Sequence, residues 1–161
     1  MFALTVLLSL SCNQGYHQFY KDFSEYNTAS LRQKSWFPPL ISENCFDIRV
    51  KLYLDESNTT NYAFGVFSYT DLKKMTLALS DTNNKKINFE SLQYCLVRIP
   101  PTGVPQWFIK SETIKSSDIY LNERFFVIDR RQNKQIYFVY DGSYRLYDTL
   151  NNKASKPASL N

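Results

Sequence analysis

A chain of 161 residues that is 43% hydrophobic and 16% aromatic has enough apolar surface to bury a continuous core, which excludes a disordered polypeptide and makes one domain the expectation. Lys+Arg 19 against Asp+Glu 15 leaves a net charge of +4, and the densest basic points, Lys73-Lys74, Lys85-Lys86 and Arg130-Arg131, are scattered beside acids or amides. This is the pattern of a solvated surface, not of a phosphate track, so no nucleic-acid partner is expected. With Gly 4 in the whole chain, no glycine-rich phosphate loop can be written, and no mononucleotide cofactor is expected.

In chain order, Met1 to Ser11 is uncharged and almost wholly apolar, and the run ends at Cys12-Asn13-Gln14-Gly15. About 20 apolar residues are needed to span a bilayer, so this segment reads as a signal peptide. Leu8-Ser9-Leu10-Ser11-Cys12 resembles a bacterial lipobox, which implies that Cys12 is diacylated at sulfur (the palmitate-type modification) and becomes the mature N-terminus. An ordinary cleaved signal and a buried apolar N-terminus are the alternatives. Cys45 and Cys95 then remain either as a disulfide pair in an oxidising compartment or as free buried thiols acting as small hydrophobes. No CxxC and no Cys/His metal spacing is present, so no metal is expected.

From Tyr16 to Leu31 the aromatics Tyr16, Phe19, Tyr20, Phe23 and Tyr26 recur at spacings of three and four, which predicts an N-terminal helix. Ser35-Trp36-Phe37-Pro38-Pro39 predicts a rigid connector, with Trp36 and Phe37 plugging the core, and a short helical turn over Leu40 to Asn44. Phe46 to Leu54 alternates apolar with polar and Tyr62 to Tyr69 returns, predicting a hairpin with Ala63, Gly65 and Phe67 on one side and Tyr62, Phe64 and Val66 on the other. Thr70 is read as the N-cap of a helix through Asp71 to Leu79 that buries Leu72, Met75, Ala78 and Leu79. A third apolar run, Leu92 to Ile99, leads into the proline-rich loop Pro100 to Pro105 and then Trp107. Ile119 to Leu121, Arg124 to Asp129, Gln135 to Tyr140 and Tyr144 to Tyr147 read as an antiparallel meander, before an Asn-, Lys- and Ser-rich tail.

The resulting expectation is an α+β domain over residues 12–150, between a signal peptide at 1–11 and a flexible tail at 151–161: an antiparallel sheet meander, an N-terminal helix, and a short helix packed on one face. The stretch from Trp36-Phe37-Pro38 through Cys45, Asp47-Ile48 and Leu54-Asp55 resembles the YbbD-type head domain family of small bacterial envelope proteins. Ser42 stands where that pattern has a second proline, and Leu52 where a histidine is common. The resemblance implies a lipoprotein-like envelope domain and brings no activity with it.

Candidate chemistry is sparse. The lone histidine, His17, has no nucleophile beside it. Asp118 with Glu123, and Asp55 with Glu56, are the nearest carboxylate pairs for acid–base work. The tyrosine row Tyr137, Tyr140, Tyr144 and Tyr147 offers a sugar- or peptide-binding face, against core packing for at least half of it. These readings favour a non-catalytic lipoprotein that contacts the membrane through its N-terminal lipid at the periplasmic or outer-membrane surface and binds a protein or envelope component. The rivals are an immunity or inhibitor protein that neutralises a toxin or hydrolase, and a small hydrolase, which needs a pocket where two titratable groups converge.

Overall fold

The computed structural model describes residues 16–30, 34–54, 60–81, 84–96, 104–115, 117–122 and 124–142. Among these residues seven strands form one antiparallel sheet: β1 (Tyr16–Asp22), β2 (Cys45–Leu54), β3 (Thr60–Tyr69), β4 (Lys85–Ile87), β5 (Asp118–Asn122), β6 (Phe125–Arg130) and β7 (Gln135–Asp141), in the spatial order β1-β2-β3-β7-β6-β5-β4. Two meanders, β1 to β3 and β4 to β7, are thus joined along one seam where Phe64 lies opposite Val139 and Gly65 opposite Phe138. Four helices accompany the sheet among the described residues: α1 (Phe23–Thr28), α2 (Leu72–Leu79), α3 (Phe89–Leu96) and α4 (Ser111–Ile114). The fold is α+β but dominated by strands.

Strand alternation splits the core in two. On one face Ile48, Val50, Leu52, Phe67 and Phe138 pack under Tyr26 of α1, Phe37 and Leu40 of the connector, and Met75 and Leu79 of α2. Phe37 is the plug the sequence implies, with its ring 5.3 Å from Tyr26, 5.9 Å from Tyr20 and 5.7 Å from Phe138. On the other face Phe64, Phe126, Ile128 and Val139 pack under Leu92 of α3, Ile114 of α4, and Phe108 and Ile109. Helices therefore cover both faces, not one. Among the described side chains of β1 and β2 only Tyr53 joins this second cluster, so no described helix covers the outward face of those two strands.

The expected helix from Tyr16 to Leu31 is corrected: its first half is β1, paired antiparallel with β2 from Tyr16 opposite Leu52 to Asp22 opposite Phe46. The three-and-four spacing misled because it counted aromatics regardless of burial, and Tyr16 and Phe19 are 53% and 62% exposed. A sharper local signal lies in Asp22-Phe23-Ser24-Glu25. The Asp22 carboxylate accepts from the Glu25 N–H at 3.0 Å, and Glu25 Oε2 accepts from the Lys21 N–H at 2.7 Å. This reciprocal capping starts the helix at Phe23 and ends the strand before it.

The hairpin of β2 and β3 forms as expected, with a bulge between Phe46 and Arg49 in which Asp47 adopts φ 49. In α2 the N-cap is Asp71, one residue beyond Thr70: its side chain accepts from the Lys74 N–H at 3.0 Å. Leu72 is 40% exposed, so the buried stripe is Met75 and Leu79, with Ala78 at its edge. Within the run from Leu92 to Ile99, residues up to Leu96 complete α3, and the rest lies outside the described residues. The strands expected at 119–121, 124–129 and 135–140 are β5, β6 and β7. The segments at 1–11, Tyr144 to Tyr147 and 151–161 lie outside the described residues.

Candidate functional site

A polar cavity of about 310 Å³ opens where β5 begins and β6 ends, and is lined by Ser117, Asp118, Asp129, Arg130, Arg131 and Gln132. Two carboxylates meet there because the strands pair in register, Asp118 opposite Asp129. Asp129 ends the inward-facing series Phe125, Val127, Asp129, so a strand otherwise built from core residues delivers an acid to the core's rim, where it is 3% exposed. After Arg130 the chain turns through a 3₁₀ helix, Arg131–Asn133, closed by Lys134 at φ 51. That turn folds Arg131 back over the carboxylates.

The Arg131 guanidinium reaches Asp129 Oδ2 through Nε and Nη2, both at 3.3 Å, and lies 4.0 Å from Asp118 Oδ2. Lys86, from β4, places Nζ 2.6 Å from Asp118 Oδ1. The Tyr69 hydroxyl donates to Asp129 Oδ1 at 3.5 Å. Burial is the main reason the Asp129 carboxyl is pushed above its ordinary range, and the Arg131 charge pulls it part of the way back. Burial, followed by the neighbouring Asp129, pushes the Tyr69 phenol up to about 12, so it stays a donor at physiological pH. Asp129 in turn raises the pKa of Arg131.

Two cations thus face two carboxylates, and the cluster is charge-balanced. The guanidinium and the phenol together match the buried Asp129 carboxylate and tie the turn after β6 to β3. Asp118, 39% exposed at its side chain, is the more accessible of the two but is engaged by Lys86. Among the described residues no group of three or more His, Cys, Asp or Glu side chains is placed to hold a metal ion.

Of the carboxylates singled out in the sequence, Asp118 comes to this site, and its partner is Asp129 in place of Glu123. Glu123, Asp55, Glu56 and Cys12 lie outside the described residues. The basic pairs Lys85-Lys86 and Arg130-Arg131, read as solvated surface, each supply one cation to the cluster. His17 is exposed on β1 opposite Lys51. Tyr137 and Tyr140 belong to opposite core faces, where Tyr137 packs against Phe108 at 5.6 Å and the Tyr140 hydroxyl accepts from Arg124 at 3.1 Å; these two tyrosines form no common binding face. Tyr144 and Tyr147 lie outside the described residues.

Cys45 is a buried free thiol whose pKa burial raises, within 4.0 Å of the Leu40 carbonyl oxygen. The side chain of Cys95, on α3, lies outside the described residues. Asp129 could have been found in the sequence from one sign, an acid at the inward register of an apolar strand, followed at once by arginines.

No helix among the described residues is long and apolar enough to cross a membrane. No curated protein and no solved structure matches the chain. Residues 15–68, which hold β1, α1, β2 and nearly all of β3, match the YbbD head domain family, so the resemblance carried by Trp36, Pro38, Ile48 and Leu54 extends over nearly all of the first meander and points to a protein of bacterial envelope type.

Proposed function

We propose that this protein is a non-catalytic envelope domain, tethered to a bacterial membrane through a lipid on Cys12 and serving to bind an envelope component or protein. The observation that carries the non-catalytic half is the charge-balanced cluster Lys86, Asp118, Arg131, Asp129 and Tyr69, in which each acid is already held by a cation. The tether is supported by the lipobox-like run before Cys12 and by the YbbD head domain match over 15–68. Mass spectrometry of the chain extracted from a bacterial membrane tests it. A mature N-terminus at Cys12 carrying a diacylglyceryl group is expected; an unmodified Cys12 within an uncleaved chain overturns the tether.

A small hydrolase is the second reading, favoured by the cavity of about 310 Å³ that brings Asp118 and Asp129 to one wall. If it holds, the purified chain hydrolyses a member of a panel of simple esters, phosphodiesters or glycosides, and Asp118→Asn abolishes turnover. Absence of turnover across the panel leaves the cluster as a structural clasp.

A further inference from the structure

The covers of the sheet are unequal. The face bearing Phe67 and Phe138 is packed across β1 and β2 by α1 and the connector, whereas among the described residues the face bearing Phe64 and Val139 is packed over the second meander, β3 and Tyr53 near the end of β2. On the open part, alternation along β1 sets out His17, Phe19 and Lys21, and β2 adds Phe46, Arg49 and Lys51. Phe19 is 62% exposed and Phe46 is 37% exposed. Arg49 lies 5.2 Å over the ring of the half-buried Trp107, and Lys51 lies 5.0 Å over the ring of Tyr53. No carboxylate among the described residues forms an ion pair with Lys21, Arg49 or Lys51. Besides Asp22, which caps α1, the acid on these two strands is Asp47 at the bulge.

We propose that this open face of β1 and β2 lies against an anionic lipid surface, with Phe19 and Phe46 entering the headgroup layer while Lys21, Arg49 and Lys51 contact lipid phosphates. The inference rests on the tether at Cys12. Only Asn13, Gln14 and Gly15 separate Cys12 from Tyr16, so even a fully extended connection keeps the start of β1 within about 14 Å of the acylated residue. A domain held that close must turn some surface to the bilayer. Exposed aromatic rings interleaved with cations on flexible stems are the composition that partitions to a negatively charged interface. Each cation near such a surface favours binding by about fivefold.

The test uses the full chain with Cys12→Ser, so that no acyl chain forms, and measures its partition onto vesicles of phosphatidylglycerol and of phosphatidylcholine. Met1 to Ser11 carries no charged side chain, and the charge of its terminal amine is shared by every variant, so that segment contributes equally to the ratio of the two partitions throughout. At low salt the ratio is expected to approach roughly a hundredfold for three cations acting together, and to fall toward one in 0.5 M salt as exposed charges are screened. Lys21→Glu/Arg49→Glu/Lys51→Glu should remove the preference. Lys73→Glu/Lys85→Glu/Lys134→Glu, which makes the same change in net charge on other exposed positions, should retain most of it. Phe19→Ser, at a side chain that contributes little to the core, should lower partition severalfold with the fold intact by circular dichroism.

A ratio near one for the parent chain overturns the proposal and leaves the face to an acidic protein partner. Equal losses in the two triple variants overturn it as well, since net charge alone would then explain binding. The mass of the native N-terminus is read separately: an unmodified Cys12 overturns the tether while leaving the vesicle result standing.

Discussion

Replacing Gly65 with alanine drives a methyl group into the ring of Phe138, the residue directly opposite it on β7. A Cβ at position 65 would stand 1.9 Å from Cζ, 2.3 Å from Cε1 and 2.5 Å from Cε2 of Phe138. Backbone conformation is not the obstacle, because Gly65 lies in a regular strand; the obstacle is that the ring lies across the strand where a side chain would be. Phe138 has little room to move, being fully buried with Phe37, Phe67 and Phe125 around it at centroid distances of 5.7, 6.4 and 6.3 Å. Overpacking of this kind costs about 1–3 kcal/mol, and a ring boxed in by three others belongs at the upper end. Lower chain entropy in the unfolded state returns about 0.4–1 kcal/mol. The net expectation is a loss of about 2 kcal/mol, read as a lower urea midpoint with unchanged slope, or as a fall of about 4–8 °C in Tm for a domain of this size. Combining Gly65→Ala with Phe138→Leu, which shortens the ring's reach, should recover at least about 1 kcal/mol relative to the sum of the two single effects. A Gly65→Ala chain as stable as the parent, or strict additivity in the double variant, would refute the placement of Phe138 over Gly65.

The clasp around Asp129 makes stability depend on pH. Because burial raises the folded-state pKa of Asp129, its contribution is fully present below the unfolded carboxylate value near 3.9 and is lost as pH rises through the folded value. Asp129→Asn should therefore unfold at higher temperature than the parent at pH 7, with the gap closing as pH approaches 4; a gap independent of pH defeats the assignment. Arg131→Ala removes the cation facing that buried acid and should cost about 1–2 kcal/mol at pH 7, the lower part of the range because the guanidinium is 46% exposed. Thermal melts at pH 7 and pH 4 should show that cost shrinking in acid. In a chain with Cys12→Ser and Cys95→Ser, Cys45 should ignore a thiol reagent until denaturant is added, since its thiol is buried and its pKa raised; rapid native labelling contradicts that burial.

Much of the second meander and the β2–β3 hairpin could be read from residue order alone, because β-branched and aromatic runs alternate cleanly there and polar turns separate them. Even the sorting of Phe64 from Phe67 onto opposite faces followed from period two. β1 was illegible because both of its faces are mixed: the outward positions His17, Phe19 and Lys21 include an exposed ring, and the inward positions Tyr16, Gln18 and Tyr20 include a buried amide, so no contrast of period two registers. β4, three residues rich in lysine, is too short for any period to register. The polar cavity was half legible. Asp118 stands out as an acid before an apolar run, but pairing it with Asp129 requires the β5–β6 register, which no local pattern states. The open face of β1 and β2 was hidden altogether, since exposure there depends on how far α3 and α4 extend across the far side of the sheet.

The seam between the meanders has a bearing on how the molecule is made. Phe64 and Val139 are paired neighbours in space, yet 75 positions (139 − 64) separate them along the chain. Until β7 has been synthesised, β3 presents an unsatisfied hydrogen-bonding edge flanked by Phe64 and Phe67, the kind of margin that recruits foreign strands. On the proposed reading of an exported chain, a central contact deferred until β7 favours staying unfolded until translocation is complete, and a fragment stopping near residue 68 would leave that margin bare.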